Sequence, residues 1–122
     1  MSPSQPERRR TPRVEERVSL AVRDAGTELV GETRNISASG AYCTLDGFIA
    51  PMTKLEIRFE LPNRTRPTPV RCSGVVVRVE PVVSHADRGR YHIAVLFTDL
   101  KAQDRAAIER FVRQRLSAPT QP

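Results

Sequence analysis

Two polar clusters have the residue types and spacing to do chemistry. The first is Arg8-Arg9-Arg10-Thr11-Pro12-Arg13, in which Arg9 and Arg13 stand four positions apart. The second is Asn35-Ile36-Ser37-Ala38-Ser39-Gly40, which sets an amide, two hydroxyls and a glycine where the chain must turn between two apolar runs. The planar guanidinium fork fits phosphate oxygens and stacks on flat rings, which an ammonium does less well. Asn35 and Ser37, two apart, project from one side of an extended backbone. Gly40 admits a tight turn without a Cβ in the way. An arginine arm facing a rigid polar turn can clamp a small anionic ligand. Neither cluster implies that alone.

Other chemistries find no support. No Ser-His-Asp or Cys-His signature, glycine-rich phosphate loop or carboxylate pair beside a histidine is present, so the chain is not expected to be an enzyme. His85 and His92 lack ligand spacing to each other or to Cys43 and Cys72, and there is no Cys-x-x-Cys, so no metal site is expected. Both cysteines lie in apolar, strand-like runs and read as buried free thiols. Asn35-Ile36-Ser37 and Asn63-Arg64-Thr65 are formal glycosylation sequons, read as chance matches without a secretory signal.

The 122 residues have room for one domain with one modest core. The formal charge is +6, and Lys54 and Lys101 are the only lysines, so the basic side is almost all arginine. That bias leans toward nucleotide or nucleic acid. Aromatics are only 5% and Trp is absent, which disfavours a large aromatic cage. No apolar run approaches the roughly 20 residues that span a bilayer. The N-terminus shows no apolar leader, so a cytoplasmic protein is expected.

The elements that must hold the clusters follow from hydrophobic period. Residues 1–14 are rich in Pro and Arg and predict a flexible basic arm. Val18, Leu20 and Val22 alternate with polar or small residues as a first strand. Residues 28–36 predict a second strand whose apolar positions are Val30 and Ile36. Ala41, Cys43 and Leu45 then face one way, and Tyr42 and Thr44 the other. Leu55, Ile57, Phe59 and Leu61 alternate with Lys54, Glu56, Arg58 and Glu60 in the clearest strand. Residues 69–80 form a long strand in which Gly74 predicts a bulge, and Arg78 faces either ligand or solvent. Tyr91, Ile93, Val95 and Phe97 alternate as the sixth strand. Residues 101–116 change to a helical period through Ile108, Phe111, Val112 and Leu116, with Asp99 as N-cap. The expected fold is therefore mostly β. It is a six-stranded antiparallel barrel over residues 15–116 that includes a C-terminal amphipathic helix, followed by a disordered tail at 117–122.

These residues resemble the PilZ domain family, bacterial receptor modules for cyclic di-GMP. Its Arg-x-x-x-Arg motif is matched by Arg9-Arg10-Thr11-Pro12-Arg13, and its Asp/Asn-x-Ser-x-x-Gly motif by Asn35-Ile36-Ser37-Ala38-Ser39-Gly40. Val75-Val76-Val77-Arg78-Val79 and Ile93-Ala94-Val95-Leu96-Phe97 fall where the family has similar strands. The resemblance covers residues 7 to 116. It implies that Arg9, Arg13, Asn35, Ser37 and Gly40 bind cyclic di-GMP, with Arg8, Arg10, Ser39 and Arg78 as additional candidates. It implies no further cofactor, and an unidentified protein effector that reads the arm and surface once ligand binding has ordered them. Where the family accepts Asp or Asn, this chain has Asn35, which gives guanine N–H donors no charged acceptor and so weaker binding. Two other readings stand beside this one. One is a PilZ-like interaction module that binds no nucleotide; the other is a small barrel that binds nucleic acid nonspecifically.

Overall fold

The computed structural model describes residues 12–63, 65–84 and 89–117. Strict alternation sets the frame. In β5 (Lys54–Leu61) every second residue is buried, from Leu55 through Ile57 and Phe59 to Leu61, and those between are exposed. The same period organises β2 (Ser19–Asp24), β7 (Tyr91–Phe97) and β6 (Thr68–Pro81) as far as Val76, whereas β4 (Gly40–Leu45) is buried at every position but Tyr42. Their inward residues meet in one core, where Phe59 and Phe97 stack at 6.0 Å.

Closure depends on β3 (Thr27–Ser37), the strand that leads into the polar turn. Residues 27–32 pair with β2, and 31–36 pair along the other edge with β4. With β2–β5, β5–β6, β6–β7 and β7–β4 also antiparallel, the six strands return on themselves as a closed barrel. Closure leaves no long strand edge open to another chain. The helix α1 (Ala102–Ser117) lays Ala107, Ile108, Phe111 and Val112 into the core and packs on β3, β6 and the short strand β1 (Arg13–Val14). The six strands and the helix are those expected from the sequence.

Several details differ. Residues 1–11, most of the expected arm, and the tail at 118–122 lie outside the described residues. The last two arm positions form a strand, β1 (Arg13–Val14), paired with Ile36 and Ser37, and Val14 joins the core. Val30 is 52% exposed. The bulge between Thr33 and Asn35 shifts the parity of β3, so Val30 faces out although Ile36 faces in. The inward side chain before the bulge is Thr33, whose Oγ1 accepts from Val18 N–H at 2.8 Å and donates to the Glu16 carbonyl. A buried hydroxyl with both roles met can replace an apolar side chain.

Gly74 stays in register with Leu55 and Phe97, and the bulge falls between Val76 and Arg78. Glycine is needed at 74 for close approach, since a Cβ there would lie 2.7 Å from the Leu96 carbonyl oxygen. Asp99 does not cap α1; its carboxylate accepts the Ser73 N–H. Leu116, at the helix end, is exposed.

Candidate functional site

The β1–β3 register sets Arg13 opposite Ser37, at the mouth of the polar turn. From there the Arg13 guanidinium donates to Asn35 Oδ1. The two motifs thus meet side chain to side chain, although 22 positions separate these residues in sequence.

The turn itself is anchored by burial on both sides, since Ile36 and Ala38 belong to the core. Ser37 is fully buried. Its Oγ accepts the Ser39 N–H at 3.1 Å and lies 2.9 Å from Ser39 Oγ. Ser39 in turn accepts the Phe97 N–H through its carbonyl at 3.0 Å, which ties the turn to β7. Gly40 packs so closely on β7 that a Cβ would lie 2.2 Å from the Val95 carbonyl oxygen. The turn is therefore held by hydrogen bonds and by contact, before any ligand arrives.

The sequence-derived site residues separate into three groups. Arg13, Asn35, Ser37, Ser39 and Gly40 come together at the turn. Arg8, Arg9 and Arg10 lie outside the described residues. Arg78 stands apart on β6, exposed, with its Cζ 5.6 Å from the centre of the Tyr42 ring and a 4.0 Å ion pair to Glu80. Within the turn, the Ser37 hydroxyl is spent on internal bonds, whereas Asn35 and Ser39 are only half-buried. Tyr42 has no counterpart among the expected site residues. Its outward parity on β4 was the available signal, but parity does not say which distant side chain will cover a ring.

Burial pushes the Cys43 thiol up to about 12, and burial together with the Asp99 and Asp104 carboxylates does the same for Cys72. Both are free and buried, hence poor nucleophiles. Among the described residues no cluster of three or more His, Cys, Asp or Glu could hold a metal ion. Also among them, no helix is long and apolar enough to cross a membrane. A concavity of ≈ 1210 Å³ opens elsewhere, lined by residues including Leu20, Arg58, Phe59 and Arg71, and its described lining includes none of the motif residues.

A sequence model of the family described as PilZ domain matches residues 7–114. Among solved structures, the Bacillus subtilis inhibitor of motility MotI/DgrA is similar over 92% of this chain and 53% of its own, with TM-score 0.77 and 20% identity. The chain thus spans about half the length of that protein. The Escherichia coli YcgR PilZ domain, solved with c-di-GMP, is similar over 92% of this chain and 99% of its own, with TM-score 0.61 and 11% identity. The PilZ domain of CeSA from a cellulose-synthesizing bacterium is similar over 84% of this chain and 92% of its own, with TM-score 0.51 and 17% identity. At these identities the likeness concerns the fold. No curated protein matches the chain in sequence.

Proposed function

Because the chain belongs to the PilZ domain family, we propose that it binds cyclic di-GMP through Arg9, Arg13, Asn35, Ser37 and Gly40 and presents the bound state to a protein partner. The observation that carries this reading is the contact between Arg13 and Asn35 beside the internally bonded Ser37–Gly40 turn.

The chemistry of each group suits the ligand. Guanine offers the O6 and N7 acceptors on one edge and N–H donors on another. The Arg13 fork matches the acceptor edge or a phosphate, and Asn35 Oδ1 accepts from the donor edge. The two side chains satisfy each other without ligand, so binding exchanges one hydrogen bond for several. Ser37 acts as a positioning residue that holds the Ser39 N–H and the turn. Engaging Arg9 together with Arg13 ties the arm to the barrel, which gives a partner a changed surface to read. The role is that of a receptor, not an enzyme.

Calorimetric titration with cyclic di-GMP at physiological salt tests this. The expected result is saturable binding that survives competition by GTP and by a linear guanine dinucleotide. Arg13→Ala should weaken it by at least about tenfold, the worth of one lost charge-assisted bond. Ser37→Ala should weaken it too, with circular dichroism confirming the fold. Absence of binding would overturn the reading and leave a nucleotide-independent interaction module. Equal affinity for any nucleic acid, collapsing with salt, would favour the nonspecific barrel.

A further inference from the structure

One row of residues runs across the outside of the barrel from the turn. Asn35 on β3 is in register with Tyr42 on β4, Tyr42 with Ala94 on β7, and Ala94 with Arg78 on β6. The adjacent row, Ile36, Ala41, Val95 and Val76, is buried in the core, so the Asn35–Arg78 row faces outward. Arg78 would have the inward parity of Val76 in a regular strand. The bulge between Val76 and Arg78 turns it out, onto the face that carries the motif.

What Arg78 does there follows from its neighbours. Ala94, between it and Tyr42, is too small to block it, and the guanidinium lies over the Tyr42 ring. Tyr42 also packs against His92 on β7, with ring centres 5.6 Å apart, and His92 Nδ1 lies 3.0 Å from Thr44 Oγ1. The Glu80 pair is long, and both side chains are more than half exposed, so it holds Arg78 weakly. Attraction to a ring face holds a guanidinium near it, whereas one in water samples many rotamers. Three interstrand steps, about 14 Å, separate Arg78 from Asn35. The two therefore reach different parts of a dinucleotide.

We propose that Arg78, held in place by Tyr42, reads the base that the motif residues do not, and selects guanine over adenine. This rests on the receptor reading above. A guanidinium fork donates to both O6 and N7 of guanine, but meets an N6 amino donor in adenine. Arg78 is the specificity-determining residue and Tyr42 the positioning residue.

The test compares affinities for cyclic di-GMP and cyclic di-AMP in the wild type, Arg78→Ala, Tyr42→Ala, Tyr42→Phe and the double alanine variant. Wild type should prefer the guanine ligand. Arg78→Ala and Tyr42→Ala should each weaken cyclic di-GMP about tenfold and cyclic di-AMP much less, so the preference narrows. Tyr42→Phe, which keeps the ring, should restore what Tyr42→Ala loses. The double variant should bind no worse than Arg78→Ala, because the two act as one unit. Wild-type preference retained in Arg78→Ala would overturn the proposal while leaving the receptor reading intact. No cyclic di-GMP binding by wild type would overturn both. Arg78 is exposed, so its substitution decides the matter even if Tyr42→Ala fails to fold.

Discussion

At the Asn35–Gly40 turn, polar groups are buried or half-buried and bonded to fixed partners nearby, the Arg13 guanidinium among them, whereas on the outer face of β2, β3 and β5 charges stand in water and pair across strands. Arg23 meets Glu56 at 3.9 Å and Arg58 meets Glu28, all four more than a third exposed. The first arrangement fixes geometry, because a buried donor or acceptor that loses its partner keeps the full desolvation cost. The second chiefly cancels charge, since exposed pairs are weak and screened. The comparison separates a place built to recognise from a surface built to remain neutral. It also bears on the basic composition. Arg17, Arg23, Arg58, Arg78 and Arg115 each face a glutamate within 4.0 Å, which breaks up the field that nonspecific nucleic-acid binding would need.

The contrast can be broken most sharply at Gly40. Gly40→Ala should cost about 3 kcal/mol by overpacking against the Val95 carbonyl. Gly26, where a Cβ meets nothing within 4 Å but φ is +88, serves as the control. Its alanine variant should cost only about 1 kcal/mol. Equal urea midpoints for the two variants would show that the turn is not rigidly packed.

Thr33→Val tests whether hydrogen bonding, rather than burial, sets the cost on the motif side. It removes the acceptor of the buried Val18 N–H and should lower stability by about 2 kcal/mol in the same assay. A neutral outcome would mean that burial alone holds the segment that joins β1 to β2.

Both regions rest on the same core, and Cys43 reports on it through pH. The folded thiol is raised from 9.0 to about 12, so above pH 9.0 the unfolded chain releases a proton that the folded chain keeps. Its contribution is fully present below pH 9.0 and is lost as pH rises through about 12. By about pH 10 the loss should be on the order of 1 kcal/mol. Cys43→Ala should remove its share of the stability slope between about pH 8 and 10, leaving that of Cys72, as followed by denaturant titration.

The smallest effect is expected on the charged face. Glu28→Gln, which breaks the pair with Arg58, should change stability by no more than about 0.5 kcal/mol, and less in high salt. A loss as large as that of Thr33→Val would erase the distinction between the two regions.

The legibility of the sequence follows the same division. The strand period was readable wherever one face is apolar, as in β5, because burial repeats every second residue. It failed at Val30, because a bulge between Thr33 and Asn35 puts Val30 and Ile36 on opposite faces and leaves Thr33, a hydroxyl with two partners, inward. Gly74 marked a special position, but a Cβ clash with β7 and a bulge leave the same trace in a sequence. Asp99 had the composition of a cap, and the Ser73 N–H competed for its carboxylate.

By itself the sequence determined the antiparallel strands, the helix and the two polar clusters, because periodicity and turn chemistry are local. Tertiary structure alone decided that Arg13 donates to Asn35, that the Ser37 hydroxyl turns inward and that Arg78 emerges over Tyr42. Those outcomes depend on strand register and on two bulges, Thr33–Asn35 in β3 and Val76–Arg78 in β6, and a shift of a single residue in either would send side chains to the opposite face.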